Sequence, residues 1–335
     1  MTAKQRDSSK KPRTRHVFVW VLVLMTVAGL WIADRGISPA GPKDSAWVKK
    51  TSTFSRNLVV NGHNIRLLEI GSGEPVLLLH GWADSTYTWR QLISRLKNRF
   101  RLVAFDWPGF GFSDKCNMPL SYFELAAVAA SVMDALSVRS AFVVGNSMGG
   151  AAALQLAADY PERVKALALL DPAAGMNESD GPWIKRIVLA PASGRISTFL
   201  MGRLAFKIGL ESAVFRDDLV SDKVVEEMYL PLMSRGGRSA MVKQLNEIME
   251  RPVTMNVIRR VSAPTLLIWG ARDAWVPLDC AKRLSSWLKG SILKIIPNCG
   301  HLPQWEAPDE TAGAIKGFFS RFQGPAGTGS AAERL

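Results

Sequence analysis

Residues 141–144 (AFVV) form an apolar run that stops at a glycine, and an Ala-rich stretch, AAALQLAADY, starts at residue 151. Between them stands Gly145-Asn146-Ser147-Met148-Gly149-Gly150. A strand that passes into a helix over so short a join must turn sharply, and G-x-S-x-G at such a turn is the nucleophile-elbow pattern. The turn forces the serine into a strained backbone conformation. Its neighbours two residues either side must then lack Cβ atoms that would clash. The helix that begins there aims its N–H groups and positive dipole end at a developing oxyanion. An ordinary Gly-rich turn would lack the strand before and the helix after.

The rest of the chain keeps the same rhythm. Residues 54–70 (FSRNLVVNGHNIRLLEI) predict a hairpin turning at Asn61-Gly62. Runs at 76–80, 101–106, 141–145, 166–171, 265–270 and 292–297 suit strands buried on both faces of a parallel sheet. Amphipathic segments near 86–98, 121–136, 148–160, 277–289 and 308–322 supply the crossover helices. With 335 residues there is room for one large α/β domain with an insertion. The insertion falls at 174–260, where strand patterns stop and helical periodicity continues, a helical lid between the sixth and seventh strands. The core is then 53–173 and 261–322, followed by a disordered tail, 323–335.

The N-terminal region is of another kind. Residues 1–16 are a polar, basic tail. Residues 17–33 (VFVWVLVLMTVAGLWIA) carry no charge and are flanked by Trp20 and Trp31, which predicts an uncleaved transmembrane anchor. A Pro/Gly-containing linker, 34–52, follows. Lys4, Arg6, Lys10, Lys11, Arg13 and Arg15 precede the span, against Arg35, Lys43, Lys49 and Lys50 after it. The positive-inside rule therefore places the body outside the cytoplasm. The net charge of +13 has no nucleic-acid-binding motif beside it, so a membrane surface is the expected acidic partner. Cys116, Cys280 and Cys299 contain no C-x-x-C, which excludes a metal ribbon and a disulfide scaffold and leaves open one unspecified pair.

A nucleophilic serine needs a base, and there are four histidines. His16 lies in the tail, His63 in the hairpin, and His80, at the end of a strand, reads as structural support. His301, after the last strand, is the expected base. Asp273, in Gly270-Ala271-Arg272-Asp273, is the expected carboxylate that holds one imidazole tautomer. Asp171, one strand earlier, is the rival. Backbone N–H groups of Met148 and Trp82 are the expected oxyanion donors. Residues 106–113 (DWPGFGFS) lack the third glycine and the lysine of a phosphate loop and read as a supporting turn. This chemistry calls for no cofactor and no metal.

Together His80-Gly81-Trp82, residues 106–113, Gly145-Asn146-Ser147-Met148-Gly149-Gly150, Gly270 with Asp273, and Gly300-His301 resemble the α/β-hydrolase superfamily over roughly residues 54–322. The resemblance implies an α/β-hydrolase fold, a mostly parallel sheet with flanking helices and a lid. It points to the esterase, lipase and C–C hydrolase branch. The N-terminal span with HGW and GNSMGG looks like membrane-anchored monoacylglycerol-lipase-type enzymes and bacterial lipases. Meta-cleavage-product C–C hydrolases also carry GNSMGG, but are soluble and usually have more glycine and proline than Gly81-Trp82-Ala83-Asp84 in the oxyanion loop. Epoxide hydrolases and haloalkane dehalogenases place a carboxylate where this chain has Ser147.

The expectation is therefore a membrane-anchored serine hydrolase cleaving carboxylic esters, lipid-like or with short-to-medium acyl chains. The alternatives are a C–C hydrolase with the same triad and a non-catalytic, membrane-tethered binding protein. Residues 181–209 hold Lys185, Arg186, Arg195, Arg203 and Lys207 with no Asp or Glu, so the lid has either a membrane-facing or a purely substrate-covering role.

Overall fold

The computed structural model describes residues 44–115, 119–176 and 202–323. The basic tail, the span 17–33, most of the linker, Cys116, the first part of the predicted lid and nearly all of the C-terminal tail lie outside the described residues.

Eight strands form one sheet in the order β1-β2-β4-β3-β5-β6-β7-β8. The strands are β1 Ser55–Val60, β2 His63–Ile70, β3 Glu74–Leu79, β4 Phe100–Phe105, β5 Ala141–Asn146, β6 Val164–Leu170, β7 Thr265–Gly270 and β8 Ile292–Ile296. β1 and β2 form the expected antiparallel hairpin, and β2 pairs antiparallel with β4. Asn61 and Gly62 at its turn have φ of 52° and 79°, both in the left-handed region that a tight two-residue hairpin needs. From β4 onward every pairing is parallel.

The apolar runs explain the layers. β5 and β7 are buried along their whole length, as strands covered on both faces must be. β8 departs from that expectation: Ile292 and Ile295 are each 41% exposed. It is the sheet's outer strand, so only one neighbour covers it. Its Lys294 pairs with Glu310, a charge of the kind that blunts an edge. The helices Tyr122–Ala135 and Met148–Asp159 pack together, and Pro308–Phe319 packs on Arg90–Leu96. The Tyr122–Ala135 helix starts at a full capping box, Ser121 with Glu124. Phe142 of β5 stacks on Phe319 at 4.4 Å, locking the last helix to the sheet.

Between β6 and β7 the described residues form the helices Arg203–Ala213, Asp222–Tyr229, Gly237–Glu250 and Met255–Ile258. The end of the predicted linker is more ordered than its composition implied. Residues Ala46–Lys50 are helical, and Glu227 receives hydrogen bonds from Ser45 Oγ and from the N–H groups of Ala46 and Trp47 at 2.6, 2.7 and 3.3 Å. A carboxylate at a helix N-terminus satisfies donors that no residue within the helix can reach.

Candidate active site

The elbow is built as its glycines require. Ser147 has φ 52° and ψ −119°, directly before the helix Met148–Asp159. A Cβ at Gly149 would fall 2.0 Å from the Leu79 oxygen, and one at Gly145 would fall 2.5 Å from the Gly149 oxygen. Both positions must be glycine for β5, β3 and the helix to meet so closely. Ser147 N–H donates to the Leu170 oxygen at 3.0 Å, tying the elbow to β6.

β5 lies between β3 and β6, so its C-terminal end is flanked by two loops. After β3 comes His80-Gly81-Trp82. Gly81 packs against the nucleophile: a Cβ there would lie 3.2 Å from that of Ser147. Met148 is the first residue of the elbow helix and is buried. Neither the Trp82 N–H nor the Met148 N–H is spent among the turn and loop hydrogen bonds of the described residues. Trp82 anchors its indole by donating to the Met241 oxygen at 2.8 Å.

The loops after β7 and β8 bring the predicted acid and base together. His301 Nδ1 and Asp273 Oδ2 are 2.7 Å apart, and both residues are buried. Asp273 Oδ1 accepts from the N–H groups of Trp275 and Val276 at 2.7 and 3.0 Å, which fixes the carboxylate's plane. The Trp275 ring stacks on His301 with 5.7 Å between centroids. Ser147 and His301 line one cleft of about 660 Å³, part of it open to solvent. Asp171, the rival acid, is fully buried at the end of β6 and accepts from the Gly270 N–H at 2.9 Å.

Of the other histidines, His80 and His63 lie among the described residues. His80 is fully buried, its Nδ1 2.8 Å from the Gly81 oxygen and its Nε2 accepting from the Trp107 N–H at 3.1 Å. Burial lowers its pKa to about 4, so the ring is neutral and structural. His63 opens β2, away from the β7 and β8 loops. The 106–113 turn supports the site as expected. Asp106 receives the N–H groups of Thr86 and Phe112 at 2.7 and 2.9 Å, holding the segment that follows the oxyanion loop.

Three contributors escaped the sequence reading. Asn146 Nδ2 donates to the oxygens of Leu170 and His301 at 3.0 and 3.1 Å, stitching the base's loop to the nucleophile strand. Glu306 accepts from Gly300, Phe215 and Arg216 N–H groups at 2.9, 2.7 and 3.1 Å and so holds the same loop from the other side. Asp84 lines the cleft, and burial pushes its carboxyl up to about 7. The spacing of Glu306 after Gly300-His301 was the only available signal for the second of these. Asn146 depends on contacts between distant segments, and Asp84 on its burial in the folded chain.

Comparison with known proteins bears on substrate. The chain is 31% identical over 287 residues to a 2-hydroxy-6-oxononadienedioate/2-hydroxy-6-oxononatrienedioate hydrolase of Comamonas testosteroni, covering 77% of this chain and 93% of the relative. It is 29% identical over 284 residues to a 2-hydroxy-6-oxo-6-phenylhexa-2,4-dienoate hydrolase of Burkholderia cepacia, with the same coverage. Among solved structures, a membrane phospholipase A described as a bacterial virulence factor is similar with TM-score 0.69 and 26% identity, over 93% of this chain and 99% of that one.

The curated relatives overturn the expectation of a carboxylic-ester hydrolase and favour the C–C hydrolase alternative. The error has a physical source. A serine, a base and an oxyanion hole serve any acyl group, so motifs at the reacting atoms do not report the bond beyond them. Four residues, 81–84, are too few to separate ester from C–C hydrolases. A model of the alpha/beta hydrolase fold matches residues 74–308, and the chain belongs to that family.

Proposed function

We propose that this hydrolase cleaves a carbon–carbon bond in a 2-hydroxy-6-oxo-hexa-2,4-dienoate bearing an apolar group at C6. The observation that carries the reading is the identity, 31% and 29% across 93% of each relative's length, to hydrolases of a 2-hydroxy-6-oxo-dienedioate and of its 6-phenyl dienoate counterpart. The cleft wall supports the apolar group. Phe206, Leu210, Met228, Trp275 and Leu302 line it, an apolar surface that suits an uncharged group at C6.

The chain's own groups suit each step. The 2-hydroxyl proton passes to C5, giving a ketone at C2. Ser147 Oγ attacks the C6 carbonyl and yields its proton to His301, whose imidazole Asp273 holds in one orientation. Met148 and Trp82 N–H groups receive the oxyanion. The C5–C6 bond breaks, its electron pair passes into the conjugated system, and the resulting dienolate takes the proton back from His301 and leaves as 2-hydroxypenta-2,4-dienoate. Water then attacks the acyl-Ser147 ester through His301, releasing the carboxylic acid. One water is consumed overall.

The test is decay of the dienoate chromophore of 2-hydroxy-6-oxo-6-phenylhexa-2,4-dienoate, compared with p-nitrophenyl ester turnover by the same preparation. Higher kcat/KM on the dienoate is expected. Turnover of esters alone would overturn the reading.

We also propose that residues 17–33 tether the enzyme to a membrane. Their charge-free composition supports this, as does the similarity to a membrane protein over 93% of the chain. Retention in the membrane fraction after a high-salt wash is expected, because apolar anchoring is not screened. Release by salt alone would overturn it.

A further inference from the structure

The mechanism leaves one buried acid unused. Asp171 is fully buried and sits at φ 41°, in the left-handed region that costs a non-glycine residue energy. Its backbone N–H donates to the Ile268 oxygen at 3.0 Å, and its Oδ1 takes the Gly270 N–H at 2.9 Å. Oδ2 is buried with no hydrogen-bond partner. One atom each of Asp171, Asp273 and His301 lie within 4.8 Å of one another.

A buried carboxylate oxygen with no donor is expensive, and two buried carboxylates this close cannot both stay ionised. Among the described residues the charges acting on Asp171 are those of Asp273 and Glu306, both negative. The nearby Cys299 is a buried thiol that burial pushes up, so it supplies no compensating charge. Asp273 already accepts from His301, Trp275 and Val276. The pair's proton therefore belongs on Asp171, where it turns the orphan oxygen into a donor. Burial first, and then the Asp273 charge, hold the Asp171 carboxyl well above the usual carboxylate range.

We propose that Asp171 and Asp273 form one carboxyl pair that carries a single proton on Asp171, making Asp171 a positioning residue that acts on His301 through Asp273. The proposal rests on the reading of Ser147 and His301 given above. It has two consequences. Asn at 171 mimics the protonated acid, keeping an acceptor for Gly270 N–H and a donor towards Asp273. When Asp273 loses its charge, Asp171 is free to ionise and keeps one negative charge beside His301.

The test is the rate at which a fluorophosphonate labels Ser147 in the full chain, followed across pH; this readout does not depend on the natural substrate. Asp171→Asn should label within about threefold of the parent, with the pH midpoint moved by less than about 0.3 unit. A midpoint lowered by about 1 unit or more would mean that a negative charge had been removed, and would overturn the proposal. Asp273→Asn probes the pair from the other side, so a poorly folding Asp171 variant does not shield it. It should lose less than about 10³ in rate, against about 10⁴ for a triad deprived of its sole acid. The full loss would overturn the pair. A parent chain that is not labelled at Ser147 would instead remove the active-site reading itself, and the pair with it.

Discussion

The side-chain amide of Asn146, the residue before the proposed nucleophile, donates to the main-chain oxygen of the proposed base, His301, at 3.1 Å. The elbow and the histidine loop are thus one hydrogen-bonded unit, with a second bond from the same amide to Leu170. Asn146→Ala should leave the His301 carbonyl unpaired, while the Leu170 oxygen keeps the Ser147 N–H, and cost about 1–3 kcal/mol of stability. The activity loss should exceed what thermal unfolding explains, about tenfold or more in kcat, because the base loses its register. Wild-type kcat in a folded Asn146→Ala protein would show that the loop holds itself.

Ser147→Ala should fold normally and lose roughly 10⁴–10⁶ in kcat, with fluorophosphonate labelling abolished. Mass spectrometry of the labelled parent should place the adduct on Ser147.

Gly149→Ala tests the elbow's geometry rather than its chemistry. The new Cβ would meet the Leu79 oxygen at 2.0 Å, and main chain on both sides cannot yield. Destabilisation of about 3 kcal/mol or more is expected, read as a lowered urea midpoint or as insoluble protein.

Two buried groups give opposed pH signatures. Asp84, raised to about 7, keeps its proton in the folded state, so its contribution to stability falls as pH rises from its unfolded value of 3.8 towards 7. His80, lowered to about 4, stays neutral when folded, so its contribution is lost as pH falls from 6.5 towards 4. Relative to the parent, Asp84→Asn should therefore gain stability with rising pH, by an amount on the order of 4 kcal/mol at pH 8. His80→Gln should lack the parent's acid-side decline, whatever its overall cost. Urea unfolding at pH 4.5, 6 and 8 reads both slopes, and parallel curves for parent and variants would refute the assignments.

Much of the fold could be read from residues because its signals are local. Asn61-Gly62 can make the hairpin turn it makes, and the uncharged runs of β5 and β7 suit only strands covered twice. β8 misled because ILKII is apolar enough for an interior strand, and only strand order reveals that it has one neighbour. The pairing of His301 with Asp273 was legible by elimination, since histidines are few and the loops after β7 and β8 share an edge. Asn146 was not, because its partners are main-chain atoms of distant segments, and Glu306 showed only in its spacing after Gly300-His301. Substrate class was the least legible, since it depends on a cleft wall assembled from the β6–β7 insert.

His301 N–H donates to the oxygen of Ala213 at 2.7 Å, and Ala213 ends the helix Arg203–Ala213 whose Phe206 and Leu210 form the cleft wall. The cleft wall and the main chain that carries the proposed base are thus hinged at one point. A ligand that fills the cleft badly enough to push that helix outward also drags the imidazole off line. Poor substrates should therefore be slow to react even once bound, and fidelity would show in turnover as much as in affinity.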